Sequence, residues 1–167
     1  MNNEMFLEFD AVSSNEGFAR VSVAAFISPL NPTLEEISDV KTAVSEAVTN
    51  AIIHGYENLT GYGKHKGGQE RMAAETGKGR QKVTLRCRIE GEILHIEIQD
   101  TGKGIENVEQ AMEPLFTTKP ELERSGMGFA FMEAFMDELE VESAPGEGTR
   151  VLMKKKLGSG PWIPGEE

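Results

Sequence analysis

Apolar positions along the chain change their period several times, and each change marks an element. Met5, Phe6, Leu7 and Phe9 form a short apolar, aromatic run that predicts an N-terminal strand. Phe18, Val21 and Ala25 then recur at helical spacing and stop before Pro29, behind Ser13-Ser14-Asn15-Glu16, which has the form of a capping box. A second such box, Thr33-Leu34-Glu35-Glu36, opens the longest helical pattern. Leu34, Ile37, Val40, Val44, Val48 and Ala51 hold one face of it as far as Gly55, where a glycine predicts the C-terminal stop.

Further on the period becomes two. Val83, Leu85, Cys87 and Ile89 alternate with Thr84, Arg86, Arg88 and Glu90; past Gly91, Leu94, Ile96 and Ile98 alternate with His95, Glu97 and Gln99. That predicts a β-hairpin buried on one face. A helix from near Gly126 carries Phe129, Met132, Phe135, Met136 and Leu139. Two short strands, around 139–143 and 149–155, flank the turn cluster Pro145-Gly146-Glu147-Gly148. Strands and helices are grouped rather than alternating, so the predicted class is α+β: one mixed, mostly antiparallel sheet with helices on one face.

Residues 59–82 break these patterns. They hold six glycines, six basic and two acidic residues and almost no apolar periodicity, which reads as a long surface insertion. Residues 158–167 read as a mobile tail. The remaining 1–157 predict a single domain, since 167 residues leave no room for two. The whole chain carries 17 basic and 28 acidic residues, net −11. The insertion contributes +4, so the rest stands at −15, and direct nucleic-acid binding is not expected of it. No apolar run is long enough to span a membrane, and the N-terminus has no signal-peptide pattern. One cysteine, Cys87, forms no internal disulfide and fits a reducing cytoplasm. Cys87 and the scattered His54, His65 and His95 do not make a zinc site.

Three constellations carry candidate chemistry. With Val44 at zero and 100° per residue, Glu46 falls at roughly 200° and Asn50 at roughly 240°, away from the apolar face. An acid and a carboxamide one turn apart could bind a hard cation and activate a nucleophile; a solvated polar face fits the pair as well. Asp100-Thr101-Gly102-Lys103-Gly104 follows the hairpin's second strand. Its carboxylate could accept from a base's exocyclic amine while the glycines admit a flat ring, and a plain strand-ending turn explains it equally. Gly126-Met127-Gly128 opens a helix, where free N–H groups and the dipole suit phosphate; it could also be a hinge.

Together, in this chain order, the three resemble the Bergerat-type ATPase and kinase fold (the GHKL family) of gyrase, MutL and histidine kinases. Pro114 to Pro120 looks like the start of that family's ATP lid, and Gly148-Thr149 is similar to its last nucleotide-contact motif. Ser45 to Tyr56 (SEAVTNAIIHGY) and Pro114 to Phe129 look closer still to the serine-kinase anti-sigma factors of endospore-forming bacteria. The resemblance spans about residues 4–57 and 83–156 and leaves out the basic insertion.

That resemblance implies a two-layer α/β sandwich with an ATP lid, and cofactors ATP/ADP and Mg²⁺. It makes Asn50 the Mg²⁺ ligand and Glu46 the general base. Asp100 would hold the adenine amine, with Gly102, Gly104 and Thr149 shaping the base pocket. Gly126, Met127 and Gly128 would offer amides to the phosphates, with Thr118, Lys119, Arg124 and Ser125 reaching from the lid. Arg20, on the first helix, is the implied partner contact, with a solvated helix arginine as the alternative. The implied activities are sequestration of a sporulation sigma factor and ATP-dependent phosphorylation of a serine on an anti-anti-sigma factor, by a homodimer. The alternative is a nucleotide-dependent sequestering module with no kinase activity, in which Glu46 would have no task. A histidine-kinase domain is disfavoured, because only about 30 residues precede the long helix and no phosphoacceptor helix pair is among them.

Overall fold

A computed structural model describes residues 1–56, 81–113 and 127–158. The 59–82 insertion, the 114–126 lid segment and the tail thus lie almost wholly outside the described residues, as do Thr118, Lys119, Arg124, Ser125 and Gly126. Strand β1 (Asn2–Asp10) leads into α1 (Ser14–Ile27) and a 3₁₀ turn (Ser28–Leu30). Then come α2 (Leu34–Asn50), a π-helical turn (Ala51–Gly55), β2 (Lys82–Glu90), β3 (Ile93–Asp100) and α3 (Val108–Ala111). The order ends with α4 (Gly128–Phe135), β4 (Glu138–Ala144) and β5 (Gly148–Lys156). The five strands form one sheet in the order β1-β2-β3-β5-β4, and every pair is antiparallel. The α+β class is as expected.

Register explains the core. One cross-sheet row runs Leu7–Leu85–Ile98–Val151–Val141 and the next Met5–Cys87–Ile96–Met153–Leu139. With Val40, Val44 and Val48 of α2 and Ala19, Val23 and Ile27 of α1, these rows supply most of the buried core. The opposite face is polar. Arg150 there bonds Glu97 and Glu142, each at 2.9 Å, and Lys154 bonds Glu138 at 2.5 Å.

The helix-facing side has a polar residue at each end. Asp100 and Thr149 sit in the row Phe9–Val83–Asp100–Thr149–Ser143, while Lys155 sits at the far end in the row Ile89–Leu94–Lys155. Six residues of β5 separate Thr149 from Lys155, about 20 Å along an extended strand.

Several local expectations need correction. The Thr33 box forms in full, with Glu36 N–H donating to Thr33 Oγ1 at 3.1 Å and Thr33 N–H to Glu36 Oε2 at 2.7 Å. The Ser13 box does not. Ser13 is already helical (φ −57°, ψ −30°), so its hydroxyl caps nothing, and Glu16 instead pairs with Arg20 and accepts from the Ser45 hydroxyl. Leu34 is 86% exposed rather than part of the buried stripe, because the buried face of α2 is centred on Val40, Ala47 and Val44 and reaches Glu36 and Ala43, on the other side from Leu34. The helical run does stop at Gly55, but by another route: α2 widens into a π turn capped by Tyr56, with no left-handed residue there. Leu139 belongs to β4, since α4 stops at Phe135.

Candidate functional site

The π turn and the loop after β3 grip each other by backbone contact. Lys103 N–H donates to the Gly55 carbonyl at 2.9 Å. A Cβ on Gly102 would lie 1.9 Å from that same carbonyl oxygen, and one on Gly55 would lie 2.7 Å from Asp100 Oδ1. No side chain fits at either place. Tyr56, 3% exposed, completes the joint: its hydroxyl donates to the Lys82 carbonyl at 2.5 Å and accepts from Thr101 N–H at 2.8 Å.

This joint fixes Asp100. Its carboxylate is buried, accepts from Gly102 N–H at 2.8 Å, and has the Thr149 backbone as a further partner. Burial pushes its carboxyl up to about 6 from an ordinary 3.8, against the opposing pull of those two backbone bonds. Ser143 fixes the neighbouring wall: Ile105 N–H donates to its hydroxyl, which donates to the Gly148 carbonyl, both at 2.8 Å, with Thr149 Oγ1 2.9 Å away. Gly104 (φ +72°) sits so close that a Cβ would strike the Ala144 carbonyl at 1.9 Å.

The second half of the site is a helix-on-helix contact. Glu46 and Asn50 do not face open solvent, as their angle from the core suggested; both are half-buried beneath the start of α4. A Cβ on Gly128 would stand 3.2 Å from Glu46 Oε2, 3.2 Å from Asn50 Nδ2 and 3.3 Å from Asn50 Oδ1. A larger residue would therefore push the helix N-terminus off the pair. Met127 is the N-cap residue, and Phe131 N–H donates back to its carbonyl at 2.8 Å.

Between the halves lies a cavity of about 520 Å³, a volume suited to a small organic ligand. Asn50, Gly55, Asp100, Gly104, Gly128 and Thr149 are on its walls, with His54 and Lys103 beside them. The structure thus brings together Asn50, Asp100, Gly104, Gly128 and Thr149 around one cavity, with Glu46, Gly102 and Met127 directly behind them. It does not bring Arg20 there: that residue lies on α1, half-exposed, 3.1 Å from Glu16, between Phe18 and Val21, both more than half exposed. Gly55, Tyr56 and Ser143 were not singled out for this site from sequence. Only Gly55 carried a signal, and it was that of a helix stop.

Among the described residues no group of three or more acids, histidines or cysteines could hold a metal by itself. A carboxamide oxygen beside a carboxylate, at a helix N-terminus open to phosphate, is the sparse hard donor set on which Mg²⁺ is held mostly by phosphates and water. The donors fit that ion. No helix of the described residues is long and apolar enough to cross a membrane.

Residues 15–155 match the family model of the histidine kinase-like ATPase domain. The chain is 57% identical over 157 residues to the anti-sigma F factor of Clostridium acetobutylicum, an alignment covering 94% of this chain and 96% of that one. It is 55% identical over 157 residues to the anti-sigma F factor of Anoxybacillus flavithermus, covering 94% of each. Among solved structures, the RsbU and RsbW domains of Rv1364c from Mycobacterium tuberculosis superpose with a TM-score of 0.58 at 16% identity, which is a likeness of fold. The match covers 93% of this chain and about a third (32%) of that one.

Proposed function

The chain belongs to the anti-sigma F factor family, within the histidine kinase-like ATPases, and from that premise we propose a protein serine kinase that also sequesters a sigma factor. Its sigma partner is sigma F, the sporulation sigma factor, held away from RNA polymerase. Its substrate is a serine on an anti-anti-sigma factor, which phosphorylation inactivates. The working unit is a homodimer in the cytoplasm, and the ligands are ATP or ADP with Mg²⁺.

One observation carries the kinase reading: Gly128 at the start of α4 stands against Glu46 and Asn50 across a cavity whose far wall is Asp100. Asp100, ionised, accepts from the adenine amine, and the interlocked glycines leave room for the ring's edge. Met127 and Gly128 present N–H groups and a positive dipole end to the phosphates, favourable to anions in an otherwise acidic protein. Asn50 would hold Mg²⁺ through its carboxamide oxygen, and the ion would supply neutralisation of phosphate charge there. Glu46 takes the proton of the serine hydroxyl as its oxygen attacks the terminal phosphorus, and the bond from that phosphorus to the bridging oxygen breaks to release ADP. In a module that only sequesters, Glu46 would do no more than complement the dipole of α4.

The test is incubation with Mg-ATP, the sigma factor and the anti-anti-sigma partner. Phosphoserine on that partner by mass spectrometry, with sigma factor retained in the presence of nucleotide, is expected. Sigma-factor binding without any phosphoserine would leave the sequestering module.

A further inference from the structure

The polar stripe on α2 does not begin at Glu46. Asp39 lies seven residues earlier, two helical turns away and on the same line of the helix. Its Oδ2 is 3.2 Å from Lys155 Nζ, at the opposite end of the sheet from Asp100. Lys155 Nζ also donates to the Phe135 carbonyl at 2.6 Å, the last residue of α4. The lysine side chain is only 11% exposed.

Both ends of α4 are therefore defined against one stripe of α2. Gly128 rests on Glu46 and Asn50, and Phe135 is tied through Lys155 to Asp39. Eight residues make a helix about 12 Å long, too short to persist without tertiary support. Met132 is its one fully buried residue, and no basic residue stands in its last turn. The cation that complements its C-terminal carbonyls is thus lent by β5.

We infer that Lys155 and Asp39 form a positioning clamp which, by pinning the C-terminal end of α4, sets where its N-terminus meets Glu46, Asn50 and the nucleotide phosphates. The clamp deepens, and rests on, the reading of this cavity as the Mg-ATP site. Lys155 touches no reacting atom; it acts through α4. Without the cation, the Phe135 carbonyl and the half-buried Asp39 lose their partner, and the helix is free to shift along the stripe.

Calorimetry of Mg-ATP binding to Lys155→Met, Lys155→Arg, Asp39→Asn and the double variant Lys155→Met/Asp39→Asn tests this. Lys155→Met is expected to weaken binding about tenfold, in the range of residues that act on a site without touching its ligand. Lys155→Arg restores it, and the double variant binds no worse than Lys155→Met alone. Equal affinity of Lys155→Met and the unaltered protein overturns the clamp, and so does a loss that Lys155→Arg fails to restore. Hydrogen exchange of the Phe131 amide, whose acceptor is the Met127 carbonyl at the far end of α4 from Lys155, gives a readout without nucleotide. Faster exchange in Lys155→Met supports the clamp and unchanged exchange overturns it. If the unaltered protein bound no Mg-ATP, the kinase reading would fail and the exchange result alone would decide the clamp.

Discussion

The two ends of the cavity are built by different means. At the Asp100 end, backbone meets backbone: the Gly55 carbonyl, the Gly102 Cα and the Lys103 N–H interlock with no side chain between them. At the Glu46 end, a short helix lies on a long one, held by the buried Met132, the absence of a Cβ at Gly128 and a distant lysine. The first arrangement is rigid and intolerant of a single added atom. The second can move as a unit, which suits the end proposed above for the phosphates. Shape recognition is assigned to the rigid end, and chemistry to the adjustable one.

The sharpest way to break that contrast is Gly102→Ala. A methyl 1.9 Å from a carbonyl oxygen cannot be accommodated by side-chain rotation. The substitution is expected to cost about 3 kcal/mol and to abolish nucleotide binding, read by thermal melting and calorimetry. At the adjustable end, Asn50→Ala should leave melting almost unchanged and weaken Mg-ATP binding about 10²-fold, the upper range for disturbing a metal site. Equal melting losses in the two variants would erase the distinction between the ends. Next in size is Tyr56→Phe. It removes the partner of both the Thr101 N–H and the Lys82 carbonyl, at about 2 kcal/mol or roughly a 6 °C fall in Tm, with a small loss of affinity.

The smallest effect is the pH dependence of Asp100, and it has opposite signs for stability and binding. Its folded-state carboxyl titrates near 6, above the ordinary 3.8, so the native protein takes up this proton before the unfolded chain does. Its contribution to stability is present below 3.8 and lost as pH rises through about 6. Adenine binding follows the ionised form and weakens as pH falls through about 6. Asp100→Asn should flatten both profiles, as denaturant melts and calorimetry between pH 5 and 8 would reveal.

Much of this molecule is legible in its sequence. The period-two runs gave both strands of the hairpin with the correct buried face, because each strand has one wet side. The Thr33 box and the stripe from Ile37 to Val48 gave α2 for the same reason. The Ser13 box failed because Glu16 has a stronger partner across the helix pair in Ser45, a tertiary contact invisible to local pattern. Leu34 failed because the buried face is shifted toward the polar and small residues Glu36, Ala43 and Ala47, which an apolar pattern does not weigh. At the site, Glu46, Asn50, Asp100 and the glycines of the motifs were recognisable by type and order. Tyr56, Ser143 and Lys155 were not, since a buried hydroxyl or amine reads like any other until its partners in distant strands are known.

The most direct test of the central claim is the rate of phosphate transfer from radiolabelled Mg-ATP to the anti-anti-sigma partner, at saturating nucleotide, for Glu46→Gln against the unaltered protein. Loss of a general base is expected to slow transfer by about 10²- to 10⁴-fold while Mg-ATP and sigma-factor affinities hold. Transfer at an unchanged rate by Glu46→Gln would contradict the account.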